Sequence, residues 1–145
     1  MTIDISCVST NLWVGAHDAI SHVLPGFHAL ALCAREHQPT QGQLRFRGQV
    51  VRAPIPDSAL DDRELSLVLQ ATKVLTEHVV KRRRVLVTCS AGVNRSCLVA
   101  GMVLANTTRM SVDEIIDRLR ARRHPNALYN AFFRDVLGKF RRPRR

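Results

Sequence analysis

Four short apolar segments have the pattern of buried β-strands. They cover residues 11–14, 28–32, 49–53 and 85–88. Each contains alternating or continuous apolar residues over a length typical of strands in globular domains.

Helical periodicity marks the segments between and after these strands. The clearest case is residues 61–80, where Leu65, Val68 and Leu69 begin a series of apolar residues three or four positions apart, so that one helix face is apolar. The other predicted helices cover residues 16–23, 96–105, 111 to just before Pro125, and about 126–137. Residues 36–48 contain Pro39, Gly42 and Gly48 and are predicted to form a loop.

Strands that alternate with helices over 145 residues predict a single α/β domain. We expect a central, mostly parallel sheet of four to five strands flanked by helices. The domain is predicted to span residues 1–138, followed by a basic, disordered tail over residues 139–145.

Positive charge is concentrated in a few places. The chain has 22 lysines and arginines against 12 aspartates and glutamates, a net charge of +10. Thirteen of the cations lie within residues 81–84, 118–123 and 139–145. Such blocks suit an acidic protein partner or nucleic acid. The plainer alternative, a solvated face with a basic tail, is favoured by composition alone.

Several classes of protein are disfavoured by the composition. No apolar run approaches the length of a transmembrane helix, and the first residues do not resemble a secretory signal, so we expect an intracellular, cytoplasmic protein. The four cysteines form no Cys-x-x-Cys pair and no cluster with histidine. A disulfide framework, a structural zinc site and a metal cofactor are therefore not expected.

The segment with the clearest chemistry is residues 89–95. An apolar strand leads into Cys89, a short loop contains Gly92, and Arg95 opens the next helix. Ligand sites in α/β sheets lie at the carboxyl ends of strands, where backbone N–H groups of a loop and helix start can surround an anion. Arg95 supplies a planar fork suited to phosphate. The same positive field favours the thiolate of Cys89, so the pattern predicts a nucleophilic cysteine beneath a bound phosphate.

The Cys-x5-Arg-Ser spacing, in this context, resembles the signature loop of the cysteine-dependent protein tyrosine phosphatases, and the short chain resembles their dual-specificity branch. Three other segments are similar to that branch and extend the resemblance to about residues 5–137. They are Asn-Leu-Trp-Val-Gly at 11–15, Pro-Ile-Pro-Asp-Ser at 54–58 and Arg-His-Pro-Asn-Ala-Leu-Tyr at 123–129.

The resemblance implies roles for named residues. Cys89 would attack phosphorus and form a phosphocysteine, while Asp57 would first protonate the leaving oxygen and then activate water. The alternative for Asp57 is a turn or helix cap, with Asp61 and Asp62 as competing acids. Ser96 would stabilise the leaving sulfur, the alternative being an ordinary residue in the first turn of a helix. Asn126 would help to hold the loop. The phosphate-binding residues would be Ser90, Ala91, Gly92, Val93, Asn94 and Arg95.

One residue departs from the family pattern. The family commonly has histidine immediately before the cysteine, where it braces the loop, but this chain has Thr88. A threonine hydroxyl can still form hydrogen bonds with nearby backbone. We therefore expect a weaker or differently tuned enzyme that remains active.

The resemblance implies a phosphatase for phosphotyrosine in proteins, with phosphoserine and phosphothreonine as further candidate substrates. A second hypothesis is an RNA 5′-phosphatase or triphosphatase, because Val93-Asn94-Arg95 is similar to the loop of RNA triphosphatases, or a phosphoinositide phosphatase. Asp57 favours ester substrates, since the RNA triphosphatases usually lack this acid. A third hypothesis, for which Thr88 is the only support, is a phosphate-binding module without turnover.

Overall fold

The computed structural model describes residues 3–22 and 24–141, which are organised around one five-stranded β-sheet. The strands are β1 (Ile5–Ser9), β2 (Leu12–Ala16), β3 (Ala29–Ala34), β4 (Gln49–Ile55) and β5 (Val85–Cys89). Their order across the sheet is β1-β2-β5-β3-β4. Strands β2, β5, β3 and β4 are parallel, whereas β1 is antiparallel to β2. The predicted α/β fold with a mostly parallel sheet is confirmed.

The described residues contain four α-helices, α1 (Asp62–Val80), α2 (Arg95–Thr107), α3 (Val112–Arg122) and α4 (Ala131–Phe140). Three of them pack on the sheet and the fourth, α4, packs on α2. Alternation along β5 directs Val85 and Val87 into the core that contains these helices, and Leu86 into a second apolar cluster. That second cluster includes Ile20 and Leu44, which lie in or beside short 3₁₀ helices at His17–Ser21 and Gln41–Gln43. None of the helices in the described ranges is long and apolar enough to cross a membrane.

Helix α2 has the position that matters most for the site. It begins where the loop after β5 ends, and its residues are buried from Arg95 through Ala105. Because α2 packs against α1, α3 and α4 as well as the sheet, the start of this helix is held from several sides. The carboxyl end of β5 and the amino end of α2 therefore face each other across a well-supported loop.

Some boundaries differ from the prediction. Strand β1 was not predicted, because it is a short edge strand with only one fully buried residue, Val8. The predicted helix over residues 16–23 is the 3₁₀ helix His17–Ser21, and residue 23 lies outside the described residues. The last helix was placed too early: it begins at Ala131 because Leu128 has a positive φ of 58°, which no α-helix accommodates.

The C-terminal end of α4 also differs from expectation. The helix continues to Phe140, so Lys139 belongs to it and not to a tail. Arg141 donates hydrogen bonds to the backbone oxygens of Ala105, Thr108 and Met110 at 2.9–3.0 Å, which satisfies carbonyl groups at and after the end of α2. The predicted disorder of residues 139–141 is therefore corrected, while residues 142–145 lie outside the described residues.

Candidate active site

Cys89 is the last residue of β5, and its side chain is almost completely buried, with 3% of the residue exposed. Its Sγ lies 3.1 Å from Oγ of Ser96, in the first turn of α2. The structure therefore brings together the predicted nucleophile and the hydroxyl predicted to assist it.

The loop after Cys89 turns its carbonyl groups outward. The backbone oxygens of Ser90, Ala91, Gly92 and Val93 each accept a hydrogen bond from a residue outside the loop. In a trans peptide the C=O group and the following N–H group point in opposite directions. The N–H groups of residues 91–94 are therefore directed toward the cavity, as an anion-binding nest requires.

Arg123 is the main support of this loop. Its Nε donates to the oxygen of Gly92 at 3.0 Å and its Nη2 to the oxygen of Ala91 at 2.9 Å. The same guanidinium forms a salt bridge with Asp4, with Nη1 and Oδ1 2.8 Å apart. One side chain thus connects the loop to the segment before β1.

The backbone of Leu128 and His17 completes the support. Leu128 donates its N–H group to the oxygen of Val93 at 3.0 Å, and His17 donates its N–H group to the oxygen of Ser90 at 3.1 Å. Nδ1 of His17 lies 3.0 Å from that same oxygen, and its ring stacks on His37 with centroids 3.8 Å apart.

Arg95 is held by an acidic residue that sequence reasoning missed. Its Nη1 and Nη2 donate to Oε1 and Oε2 of Glu36 at 2.5 and 2.7 Å, and Nη1 also donates to the oxygen of Ile55 at 3.0 Å. The hydrogen bond from Arg95 lowers the pKa of Glu36 to about 2, and the pKa of Arg95 is raised by the same contact. A guanidinium has five N–H donors, so the edge formed by Nε and Nη2 keeps two donors for a ligand.

Asp57 follows β4 and faces the same cavity. Its Oδ2 accepts a hydrogen bond from Nδ2 of Asn94 at 3.1 Å, and its Oδ1 accepts one from Nδ2 of Asn130 at 2.9 Å. Of the alternative acids, Asp61 instead caps α1 by accepting a hydrogen bond from Glu64 N, and Asp62 is the first helical residue.

One cavity of about 390 Å³ joins these groups, and its lining includes Cys89, Arg95, Asp57 and Glu36. A buried sulfur, a guanidinium edge, inward N–H groups and an exposed carboxyl group therefore surround one space. This arrangement suits a tetrahedral anion with a departing group directed outward.

Residues 27–142 match the family model of the dual specificity phosphatase catalytic domain. The chain belongs to this family.

Solved structures of dual specificity phosphatases and related proteins share the fold. A mouse protein described as a dual specificity phosphatase, complexed with zinc tungstate, is 22% identical to this chain. Its TM-score is 0.82, over 97% of this chain and 88% of that chain. Human DUSP28 is 18% identical, with a TM-score of 0.80 over 97% and 95%. The human tyrosine phosphatase-like serine/threonine/tyrosine-interacting protein is 17% identical, with a TM-score of 0.77 over 96% of both chains. No curated protein matches the sequence.

Thr88 and Asn126 are the two predicted loop supports, and within the described residues neither side chain makes a hydrogen bond to the loop of this dual specificity phosphatase domain. The hydroxyl of Thr88 donates to the oxygen of Ala31 at 3.2 Å, so it joins β5 to β3 and does not reach the loop. Asn126 is exposed and lines the mouth of the cavity. Within the described residues its side chain makes no hydrogen bond to the loop, and the role predicted for it belongs to Arg123 and Leu128.

The sequence does not indicate four residues that contact the site of this dual specificity phosphatase domain: His17, Glu36, Arg123 and Asn130. Arg123 lies in a segment that resembles the family, but its sequence context indicates only a member of a basic block. Glu36 and Arg95 are 59 positions apart, and nothing in the local pattern of either indicates the pairing. Asn130 stands just before α4, where an asparagine is a common helix cap, and this ordinary role conceals its second contact.

Proposed function

We propose that the chain is a protein phosphatase that hydrolyses phosphotyrosine, and also phosphoserine and phosphothreonine, through a phosphocysteine intermediate. The observation that carries this proposal is the meeting of Cys89, Arg95 and Asp57 around one cavity. Membership of the dual specificity phosphatase family supports phosphatase chemistry.

In the first step the thiolate of Cys89 attacks phosphorus, so that an S–P bond forms while the P–O bond to the leaving group breaks. Asp57 transfers a proton to the departing oxygen. The inward N–H groups of residues 91–94 and the Nε–Nη2 edge of Arg95 donate to the remaining oxygens of the phosphoryl group. This edge is the one that Glu36 leaves free.

In the second step water attacks the phosphocysteine and Asp57 removes a proton from it. The S–P bond breaks and the thiolate of Cys89 returns. Because Oγ of Ser96 lies 3.1 Å from Sγ, its hydroxyl can donate a hydrogen bond to the sulfur as negative charge develops there.

The first test uses para-nitrophenyl phosphate. Wild-type protein is expected to hydrolyse it, and Cys89→Ser is expected to lower kcat by about 10³-fold or more because the serine hydroxyl is a far weaker nucleophile. Acid quenching during turnover of a radiolabelled phosphopeptide should leave label on the wild-type protein and none on Cys89→Ser. Equal turnover by the two proteins would exclude Cys89 as the nucleophile.

The substrate class is tested by comparing kcat/KM on matched peptides that carry phosphotyrosine, phosphoserine or phosphothreonine with that on 5′-triphosphorylated RNA and a phosphoinositide. Asp57 favours the phosphate esters over the triphosphate, because it lines the cavity with Cys89 and its carboxyl group can protonate an ester oxygen, whereas a diphosphate leaves without protonation. A higher kcat/KM on RNA or lipid than on every peptide would overturn this assignment.

A further inference from the structure

Three residues form a closed ring of hydrogen bonds at the edge of the cavity. The members are Asp57, Asn94 and Asn130. Both asparagines donate from Nδ2 to the carboxyl group of Asp57, and the backbone N–H of Asn130 donates to Oδ1 of Asn94 at 3.1 Å. Each member therefore contacts the other two.

A second contact orients the Asn130 amide. Its Oδ1 accepts a hydrogen bond from the N–H of Phe133 at 3.3 Å and so caps α4. With its oxygen engaged by the helix, Nδ2 is the end of the amide that reaches Asp57. The orientation of Asn94 is set in the same way, because its Oδ1 accepts from Asn130 while its Nδ2 donates to Asp57.

Among the residues that the structure describes, only Asn94 and Asn130 donate hydrogen bonds to the carboxyl group of Asp57. Asp57 is exposed and lies between β4 and α1, outside both elements. An exposed side chain on a connecting segment samples several rotamers unless specific contacts restrict it. The two amide donors engage both carboxyl oxygens, and hydrogen bonds to both oxygens fix the plane as well as the position of the group.

We propose that Asn130 is a positioning residue that holds the carboxyl group of Asp57 in place for proton transfer to the leaving group. This inference rests on the proposed function. A carboxyl oxygen that accepts one amide hydrogen bond keeps a second lone pair. That lone pair can carry the acidic proton, so Asp57 can donate the proton to the departing oxygen without releasing Asn130.

The test exploits the leaving group. A poor leaving group such as phenol needs protonation more than para-nitrophenol does. The ratio of kcat/KM on para-nitrophenyl phosphate to that on phenyl phosphate therefore reports proton donation in the first step. Asp57→Asn is expected to raise this ratio by about tenfold or more, because general acid catalysis contributes about 10²–10⁴-fold.

Asn130→Ser isolates the positioning contact. Serine still caps a helix, but it has no amide donor to Asp57. We expect this variant to raise the same ratio by about threefold to tenfold, as a partial loss of general acid catalysis, with little change in Tm. Ser111→Ala is the matched control, because Ser111 caps α3 through Glu114 N and lines a different cavity. It should lower Tm and leave the ratio unchanged.

A double-mutant cycle decides whether Asn130 acts through Asp57. In the Asp57→Asn background, Asn130→Ser should leave the ratio unchanged. If Asp57→Asn raises the ratio but Asn130→Ser does not, the positioning role alone is overturned. The same holds if Asn130→Ser still raises the ratio in the Asp57→Asn background. If Asp57→Asn itself lowers kcat/KM equally on both substrates, Asp57 is not the acid and the proposed mechanism fails first.

Discussion

At the scale of single residues, the contact between Glu36 and Arg95 shows how the cavity keeps its cation directed inward. Arg95 is 5% exposed, and a buried guanidinium needs partners for its donors. Glu36 accepts one hydrogen bond from each terminal nitrogen, and the oxygen of Ile55 accepts a second one from Nη1, so the Nε–Nη2 edge keeps two donors for the proposed phosphate.

This contact predicts a pH-dependent contribution to stability. The pKa of Glu36 is about 2 in the folded protein, below its usual value of 4.5, chiefly because of the hydrogen bond from Arg95. The contribution is therefore present above about pH 4.5 and is lost as the pH falls toward 2. Glu36→Gln should lower Tm near neutral pH by up to about 4 °C, since half of the Glu36 side chain is exposed and solvent screens the pair.

The measurement is thermal unfolding of both proteins from neutral pH down to about pH 2, with the gap in Tm as the readout. That gap should narrow as the pH falls. A gap of constant size across this range would show that ionised Glu36 contributes nothing, whatever the effect of the substitution on activity.

At the scale of elements, the loop between β5 and α2 depends on the absence of a side chain at one position. Gly92 has φ of +73°, and a Cβ atom there would lie 2.7 Å from the oxygen of Gly15 and 2.5 Å from Nη2 of Arg123. Alanine would therefore both strain the backbone and displace the side chain that holds the loop.

Gly92→Ala is expected to reduce the free energy of unfolding by about 1–3 kcal/mol and to lower kcat/KM on para-nitrophenyl phosphate by about tenfold or more. Gly138→Ala provides the matched comparison, because Gly138 lies within α4 and a Cβ atom there meets nothing within 4 Å. Alanine should stabilise that helix by about 0.5–1 kcal/mol. Chemical denaturation measures whether the free energy of unfolding falls in Gly92→Ala and rises in Gly138→Ala. A stable, active Gly92→Ala protein would contradict this account of the loop.

The elements that could be predicted from the sequence are those whose signal is local. Helix α1 combines apolar periodicity with a capping box at Asp61 and Glu64, and the segment through β5 and α2 contains an apolar strand, a glycine loop and a largely apolar, buried helix in succession. Strand β1 gives a weaker signal, because its stability comes from pairing with β2. The start of α4 depends on the positive φ of Leu128, which a leucine does not indicate.

The same distinction applies to the candidate site. Cys89, Arg95 and Ser96 are close in sequence and could be predicted together. Glu36 contacts Arg95, and Asn130 contacts Asp57, across distant segments of the chain, so these contacts appear only when the sheet and helices are assembled. The support from Arg123 likewise requires α3 to pack beside the loop.

At the scale of the whole molecule, the cations that give the net charge of +10 fall into two groups, those that contact the protein backbone and those that are exposed. Several arginines serve the fold or the site: Arg95, Arg120, Arg123, Arg134 and Arg141 all donate to backbone oxygens. The block at residues 81–84 is different, because its residues are exposed. It precedes β5, whereas Cys89 ends that strand, so the block and Cys89 lie at opposite ends of the central strand of the sheet.

This separation predicts that the exposed block does not assist turnover of small substrates. Strand β5 has five residues, a length of about 15 Å at roughly 3.3 Å per residue, and screening acts over about 8 Å at physiological salt. Lys81→Glu combined with Arg83→Glu should leave kcat/KM on para-nitrophenyl phosphate within about twofold of wild type at that salt concentration. A larger loss of kcat/KM would mean that the electrostatic field of the block reaches the cavity. If kcat/KM is unchanged, the block remains available to an acidic partner or nucleic acid. Weaker binding of a single-stranded oligonucleotide by the same variant would support that use.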